Sequence, residues 1–159
     1  SIPHRFDAPA RWIRAGEFER YTMKEQFTHH DVLIFVMVMA SAVDNAMSDR
    51  ELQRIGQMID VMPVFEGFEK QNLIGVSKRC AEILGGPEGL DITLEIIRDT
   101  LPASLHDTAY ALAVELTAVD LVVNPEEIRL LQLLRDRLRL DKLTCAAIER
   151  SAIARYRRA

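Results

Sequence analysis

Apolar residues recur along most of the chain at helical intervals of three and four, and convincing alternation of apolar and polar residues is absent. The longest apolar run, VLIFVMVMASAV over residues 32–43, is well short of the roughly 20 residues that a membrane-spanning helix needs. It predicts a buried helix instead. The pattern as a whole predicts an all-α domain, a bundle of seven or so helices.

Several helix starts are marked by a short polar residue followed three positions later by an acid, the pattern of a capping box. Such signals predict starts at Thr28, Ser48 and Ser104. A fourth start is predicted at Asn124, where Pro125 suits the first helical position. Each of these starts precedes a segment with apolar residues at helical spacing, so the caps and the periodicity predict the same elements.

Three further helices are predicted from periodicity and from breaker residues. They cover about 69–84, which ends at GGP, about 87–100, and about 142–157. Residues 1–27 are predicted to form an N-terminal arm with a short helix, and residues 28–159 a single domain. A 159-residue chain with 48% hydrophobic residues is long enough to bury one core.

An internal repeat relates two parts of the chain. A shift of 76 residues aligns 28–60 with 104–136 without a gap, and the aligned segments share an Ala-Val-Asp triplet at 42–44 and 118–120. Repeated helix pairs usually bury their apolar faces against each other. The repeat therefore predicts two helical hairpins related by a pseudo-twofold axis, with two extra helices in the spacer, 61–103.

The repeated stretches AVDNAMSDREL and AVDLVVNPEEI resemble the Ala-Asp-Gly and acidic-residue signature of the TerB-like tellurite-resistance family, over roughly residues 28–158. The resemblance implies a TerB-like fold and a non-enzymatic role in tellurite or envelope stress. It also implies a cytoplasmic protein, peripheral at the inner membrane, with membrane-embedded partners. Asn45 and Leu121 stand where the family has glycine. Leucine does not tolerate the left-handed conformation, so the second turn is predicted to differ.

Four carboxylates of these stretches are candidate metal ligands: Asp44, Glu51, Asp120 and Glu127. If the pseudo-twofold brings the two connections together, their oxygens suit a hard cation such as Ca²⁺ or Mg²⁺. Two simpler interpretations stand beside this one. The glutamates fit helix capping, and the aspartates fit Asx-turns between helices. An aspartate at a helix C-terminus is nevertheless unfavourable unless a cation or a donor compensates it.

Catalytic chemistry finds little support in the sequence. A Gly-rich phosphate loop, a GxSxG motif and a Cys/His nucleophile pair are all absent, and the carboxylate spacing is not that of an EF-hand. We therefore expect no enzyme. The alternative is a small metal-dependent hydrolase that uses the four carboxylates, which would require a deep pocket with an open metal position.

Two histidines occupy equivalent positions in the repeat, His30 and His106. His30 lies 14 residues before Asp44, about 21 Å along a helix, so these two side chains cannot share a site. An antiparallel helix would bring His30 near Asp120. The simpler interpretation is a polar residue in the first helical turn.

The overall net charge of −4 argues against general affinity for nucleic acid, but the charge is unevenly distributed. Residues 128–159 contain nine basic and three acidic residues, a local charge of +6, which leaves −10 for the rest. This asymmetry permits an anionic partner or membrane surface at the C-terminal end. A solvated helix face is the alternative.

Cysteine usage favours a reducing compartment. Cys80 and Cys145 each stand alone in a helical pattern and form no CxxC pair, so they are predicted to be small buried hydrophobes. The first 20 residues are too polar for the apolar segment of a secretory signal, which again favours the cytoplasm.

Overall fold

The computed structural model describes residues 26–42, 47–120 and 123–159, apart from the side chain of Asp120. The described residues contain α-helices and short 3₁₀ turns but no strand, which confirms the all-α prediction. The α-helices are α1 (His29–Ser41), α2 (Asp49–Val61), α3 (Leu73–Gly85), α4 (Gly89–Thr100), α5 (His106–Thr117), α6 (Pro125–Arg137) and α7 (Lys142–Tyr156). The 3₁₀ turns are Pro63–Phe65, Lys70–Asn72, Ala103–Leu105 and Ala118–Asp120.

Helix α1 is the centre of the fold. All nine residues of 32–40 are buried, because α1 contacts α2, α3, α4 and α5 on different sides. Its contact with α5 is the most extensive in the molecule. The apolar run therefore forms the predicted buried helix, and a helix that is apolar all round needs such a complete shell of neighbours. Residues 1–25 of the predicted N-terminal arm, with its short helix, lie outside the described residues.

The predicted start of α1 is confirmed by its capping box. The backbone N–H of Asp31 donates to Thr28 Oγ1 at 3.2 Å, and the N–H of Thr28 donates to Asp31 Oδ2 at 3.0 Å. These two bonds satisfy donors that the first turn of a helix would otherwise leave unpaired. The helix ends at Ser41, two residues before the end of the apolar run.

One predicted helix start is wrong. Ser104 caps no helix, because it lies inside the 3₁₀ turn Ala103–Leu105, and α5 begins at His106 with Leu105 at its N-cap. Pro102 precedes this turn in an extended conformation and the chain enters α5 directly from the turn. A 3₁₀ turn likewise delays α3, which begins at Leu73 rather than near residue 69. Short 3₁₀ segments commonly connect helices and are hard to separate from them by periodicity.

The helices of the two repeated segments have matching bounds. Helix α2 spans 49–61 and α6 spans 125–137, which is the same interval after a shift of 76 residues. Helices α1 and α5 match with a difference of one residue at the start. The spacer contains α3 and α4, the two extra helices that were predicted. No helix among the described residues is long and apolar enough to cross a membrane.

Candidate functional site

The two connections between the repeated helices are the first candidate site. The first connection follows α1, and Asp44 lies outside the described residues. The second connection begins with the 3₁₀ turn Ala118–Asp120, whose backbone is described, while the side chain of Asp120 lies outside. The positions of the two aspartate carboxylates therefore stay predictions, and the described geometry concerns Glu51 and Glu127.

Glu51 is part of a capping box at the start of α2. The backbone N–H of Ser48 donates to Glu51 Oε2 at 2.8 Å, and the N–H of Glu51 donates to Ser48 Oγ at 3.2 Å. Negative charge is favourable here because the first turn exposes unpaired N–H groups and the positive end of the helix dipole. Capping thus accounts for one carboxylate oxygen of Glu51.

Glu127 occupies the equivalent position in α6 and is half-buried. Its N–H donates to Asn124 Oδ1 at 2.8 Å, and Asn124 Nδ2 donates back to Glu127 Oε1 at 3.2 Å. At the start of α6 the side-chain amide of Asn124 makes both bonds to Glu127. At the start of α2 the two bonds to Glu51 come from the hydroxyl and the backbone N–H of Ser48. The predicted caps at Ser48 and Asn124 are confirmed.

Replacing the N-cap serine of α2 tests this capping role. Ser48→Ala is expected to lower the free energy of unfolding by about 1 kcal/mol, because an N–H of the first turn loses its acceptor. Ser104→Ala is the matched control, since Ser104 is equally exposed but caps no helix. Its effect is expected to stay within about 0.5 kcal/mol. Urea denaturation measures both, and equal losses would contradict the assignment.

The end of α1 and the start of α6 line one groove. Met39 and Ala42 of α1 line the same apolar groove as Pro125, Glu126 and Leu130 of α6, and the groove has a volume of about 510 Å³. Its other walls come from the end of α3 and the start of α4.

The end of α5 and the first half of α2 are also in contact. Arg54 of α2 donates from Nη2 to the carbonyl oxygen of Glu115 in α5 at 3.5 Å, and to Tyr156 Oη of α7 at 3.1 Å. Tyr156 Oη in turn donates to Glu115 Oε1 at 2.6 Å, and Arg155 pairs with the second oxygen. The helix ends thus approach each other across the repeats: α1 faces α6 across the groove, and α5 is hydrogen-bonded to α2.

Among the described residues, no group of three or more His, Cys, Asp or Glu side chains is placed to hold a metal ion. The side chains of Asp44 and Asp120 lie outside the described residues, so only two of the four predicted ligands, Glu51 and Glu127, enter this statement. Glu51 and Glu127 offer carboxylate oxygens, which suit a hard cation in kind. A metal site here would need Asp44 and Asp120 to supply the remaining oxygens.

The two equivalent histidines have the same structural role. His30 Nε2 donates to the carbonyl oxygen of Val64 at 2.9 Å, and His106 Nε2 donates to the carbonyl oxygen of Leu101 at 3.1 Å. Each histidine thus ties the first turn of its helix to the backbone of a neighbouring segment. Such a bond satisfies a carbonyl group, as the interpretation of a polar first-turn residue requires.

The two cysteines are buried, as predicted. Burial raises the pKa of the Cys80 thiol to about 12, and burial also raises the pKa of Cys145. Because the thiolate is the reactive form, both side chains are unreactive at neutral pH. The cysteines therefore act as packing residues.

Sequence reasoning missed two half-buried polar clusters. Glu115 joins α2, α5 and α7 through Arg54 and Tyr156. Glu149 of α7 accepts hydrogen bonds from Tyr110 of α5 and, at 3.1 Å, from Arg135 of α6. The available signal was a lone acid in the apolar segment ALAVELT, because a charge on a buried face needs a partner. Burial raises the pKa of Tyr110, and its hydrogen bond to Glu149 raises it further.

Comparisons with protein-family models, with curated proteins and with solved structures give no match. The resemblance to the TerB-like family therefore stays a prediction from the residues of the two repeated stretches. No feature of the described residues favours the alternative, a small metal-dependent hydrolase.

Proposed function

We propose that the protein is a non-enzymatic TerB-like module of tellurite or envelope stress resistance. In this proposal it binds a divalent cation where its two repeated helix pairs meet, and it acts with protein partners that include a membrane-embedded component. The observation that carries the proposal is the approach of the helix ends across the repeats. Met39 and Ala42 at the end of α1 line one groove with the start of α6, and Arg54 near the start of α2 is hydrogen-bonded to the end of α5.

A pseudo-twofold relation between the two hairpins is supported by the same contacts. Exchanging the two repeats relates the groove between α1 and α6 to the hydrogen bond between α5 and α2, and a shift of 76 residues converts the bounds of α2 into those of α6. Such a relation would place the two connections on one side of the bundle. This is the arrangement that four converging carboxylates require.

The cation component follows from the charges at the helix ends. Asp44 follows α1, and Asp120 ends the 3₁₀ turn after α5, where the negative ends of the helix dipoles disfavour a carboxylate. A hard cation compensates this repulsion and accepts oxygen ligands from both aspartates. The capping bond of Glu51 uses Oε2, so its other oxygen would complete the set together with Glu127.

A titration with calcium, magnesium or zinc, followed by thermal denaturation, tests the cation site. We expect calcium or magnesium to raise the Tm of the wild type, by roughly 5–10 °C at a concentration one hundred times Kd, because the cation binds only the folded state. Asp44→Asn combined with Asp120→Asn should abolish this increase, because the two carboxylates that would bind the cation are replaced by neutral amides.

Asp31→Asn combined with Asp107→Asn is the matched control. These aspartates are also equivalent in the repeat, but they lie in the first turns of α1 and α5. Asp31→Asn weakens the capping box of α1, and both substitutions remove negative charge from a first helical turn, so the starting Tm falls while the cation-dependent increase should stay intact. If no cation changes either melting curve, the metal site is rejected and capping is the whole role of the glutamates. Equal loss in both double variants would indicate a non-specific effect of charge.

A further inference from the structure

Helix α7 divides its charged side chains between two faces. The inner face carries Glu149, which is bound by Tyr110 and Arg135, and the adjacent Arg155 pairs with Glu115 of α5. Glu149 is the only acid within α7, Lys142–Tyr156. Asp141, which precedes the helix, is its N-cap and accepts from the N–H of Thr144 at 3.0 Å. The acids of this region are therefore engaged within the domain.

The outer face of α7 is purely cationic. It carries Lys142 and Arg150, both exposed, and the exposed Arg157 and Arg158 follow directly after the helix. Within the described ranges these four side chains form no ion pair, in contrast to Arg135 and Arg155. A concentration of unpaired positive charge attracts an anionic surface over a Debye length of about 10 Å.

Apolar side chains lie among these cations. Leu143 is 81% exposed and Ile153 is 41% exposed. Leu143 and Arg150 are seven residues apart and Ile153 follows three residues later, so these side chains lie on one side of the helix. Exposed leucine and isoleucine gain free energy when a partner removes them from water. The occupant of this face must therefore accept negative and apolar contacts together.

We propose that the outer face of α7, continued by Arg157 and Arg158, binds the surface of an anionic lipid bilayer. A nucleic acid or another polyanion would engage the cations but leave Leu143 and Ile153 in water. A bilayer surface accommodates both, because lipid phosphates meet the basic groups while the apolar side chains enter the region below the headgroups. This inference rests on the proposed role beside a membrane-embedded partner, and it identifies the surface that would reach the membrane.

Vesicle flotation of the full chain tests the proposal. We expect binding to vesicles that mix phosphatidylglycerol with phosphatidylcholine and no binding to phosphatidylcholine alone, with weaker binding as salt increases. A chelator in the buffer makes this measurement independent of the cation titration. If the protein does not bind vesicles but its Tm still rises with the cation, the lipid-binding surface is rejected and the cation site stands. If it binds vesicles but no cation raises its Tm, the cation site is rejected and the lipid-binding surface stands.

Two substitutions on exposed residues separate this surface from a general effect of charge. Arg150→Glu is expected to weaken vesicle binding about 10- to 30-fold, because one attraction is replaced by one repulsion. Lys78→Glu on the exposed face of α3 changes the net charge equally and should leave binding within about twofold. Leu143→Ser should weaken binding without a change in Tm, because Leu143 is nearly fully exposed.

Three results would overturn the proposal. The first is equal binding to vesicles with and without phosphatidylglycerol, and the second is an equal loss in Arg150→Glu and Lys78→Glu. The third is binding to poly-glutamate or duplex DNA as tight as binding to vesicles, with no effect of Leu143→Ser, which would identify a general polyanion surface.

Discussion

Phe35→Ala is expected to lower the free energy of unfolding by about 3–5 kcal/mol, the largest effect of any single substitution considered for this protein. Phe35 is fully buried in the middle of α1, and its ring packs edge-on against Phe27 with 5.0 Å between the ring centroids. Truncation removes a large apolar side chain and leaves a cavity that the helices around α1 cannot fill completely.

Phe68→Ala is the control for Phe35→Ala. Phe68 is half-buried at the edge of the core, and its ring lies beside that of His30 with 5.7 Å between the ring centroids. Its loss is expected to be at most about half as large, because less apolar surface returns to water. Urea denaturation measures both variants, and Phe35→Leu provides an intermediate case if the alanine variant does not fold. Similar losses for Phe35→Ala and Phe68→Ala would contradict the central position of α1.

Gly89→Ala is expected to destabilise the protein by about 2 kcal/mol or more, although it adds only one methyl group. A Cβ at Gly89 would lie 2.3 Å from the carbonyl oxygen of Leu84 and 2.4 Å from that of Ile83. Both are backbone atoms of the last turn of α3, so relief requires α3 and α4 to move apart. The carbonyl oxygen of Gly89 also accepts from Thr93 Oγ1 at 2.7 Å, which holds the start of α4 in place.

Gly75→Ala is the matched control for Gly89→Ala. It is the same chemical change in α3, but no atom lies within 4 Å of the added Cβ. Alanine favours helix more than glycine, so this variant should be more stable than the wild type by up to about 1 kcal/mol. Opposite signs in urea denaturation are the expected result. A neutral Gly89→Ala would mean that the α3–α4 approach is looser than these distances indicate.

Local signals predicted the helix starts that depend on residues three positions apart. Thr28, Ser48 and Asn124 all cap their helices through side chains that lie within one turn. Ser104 has the same local pattern and fails, because the preceding Pro102 leads into a 3₁₀ turn that displaces the start of α5 to His106. A capping motif indicates that a helix can start at a residue, and the conformation of the neighbouring residues determines whether it does.

The candidate site was likewise predictable from the sequence only in part. The repeat and its four carboxylates were visible in the sequence, and the capping roles of Glu51 and Glu127 follow from their spacing to Ser48 and Asn124. The approach of the helix ends across the repeats was not visible, because the groove between α1 and α6 and the hydrogen bond between α2 and α5 join residues far apart in the chain. Asp44 and the side chain of Asp120 lie outside the described residues, so their shared site stays a proposal.

By itself the sequence determined the all-α class, the buried helix of residues 32–40, most helix starts and the interval of 76 residues, because all of these depend on periodicity and on local hydrogen bonds. Only the tertiary structure decided which face of each helix is covered. The packing of α4 against α3 brings the backbone of Gly89 close to the carbonyl groups of Ile83 and Leu84. The tertiary structure also turned Glu149 inward and left Leu143 and Arg150 exposed, since side-chain burial depends on neighbours that are distant in the chain.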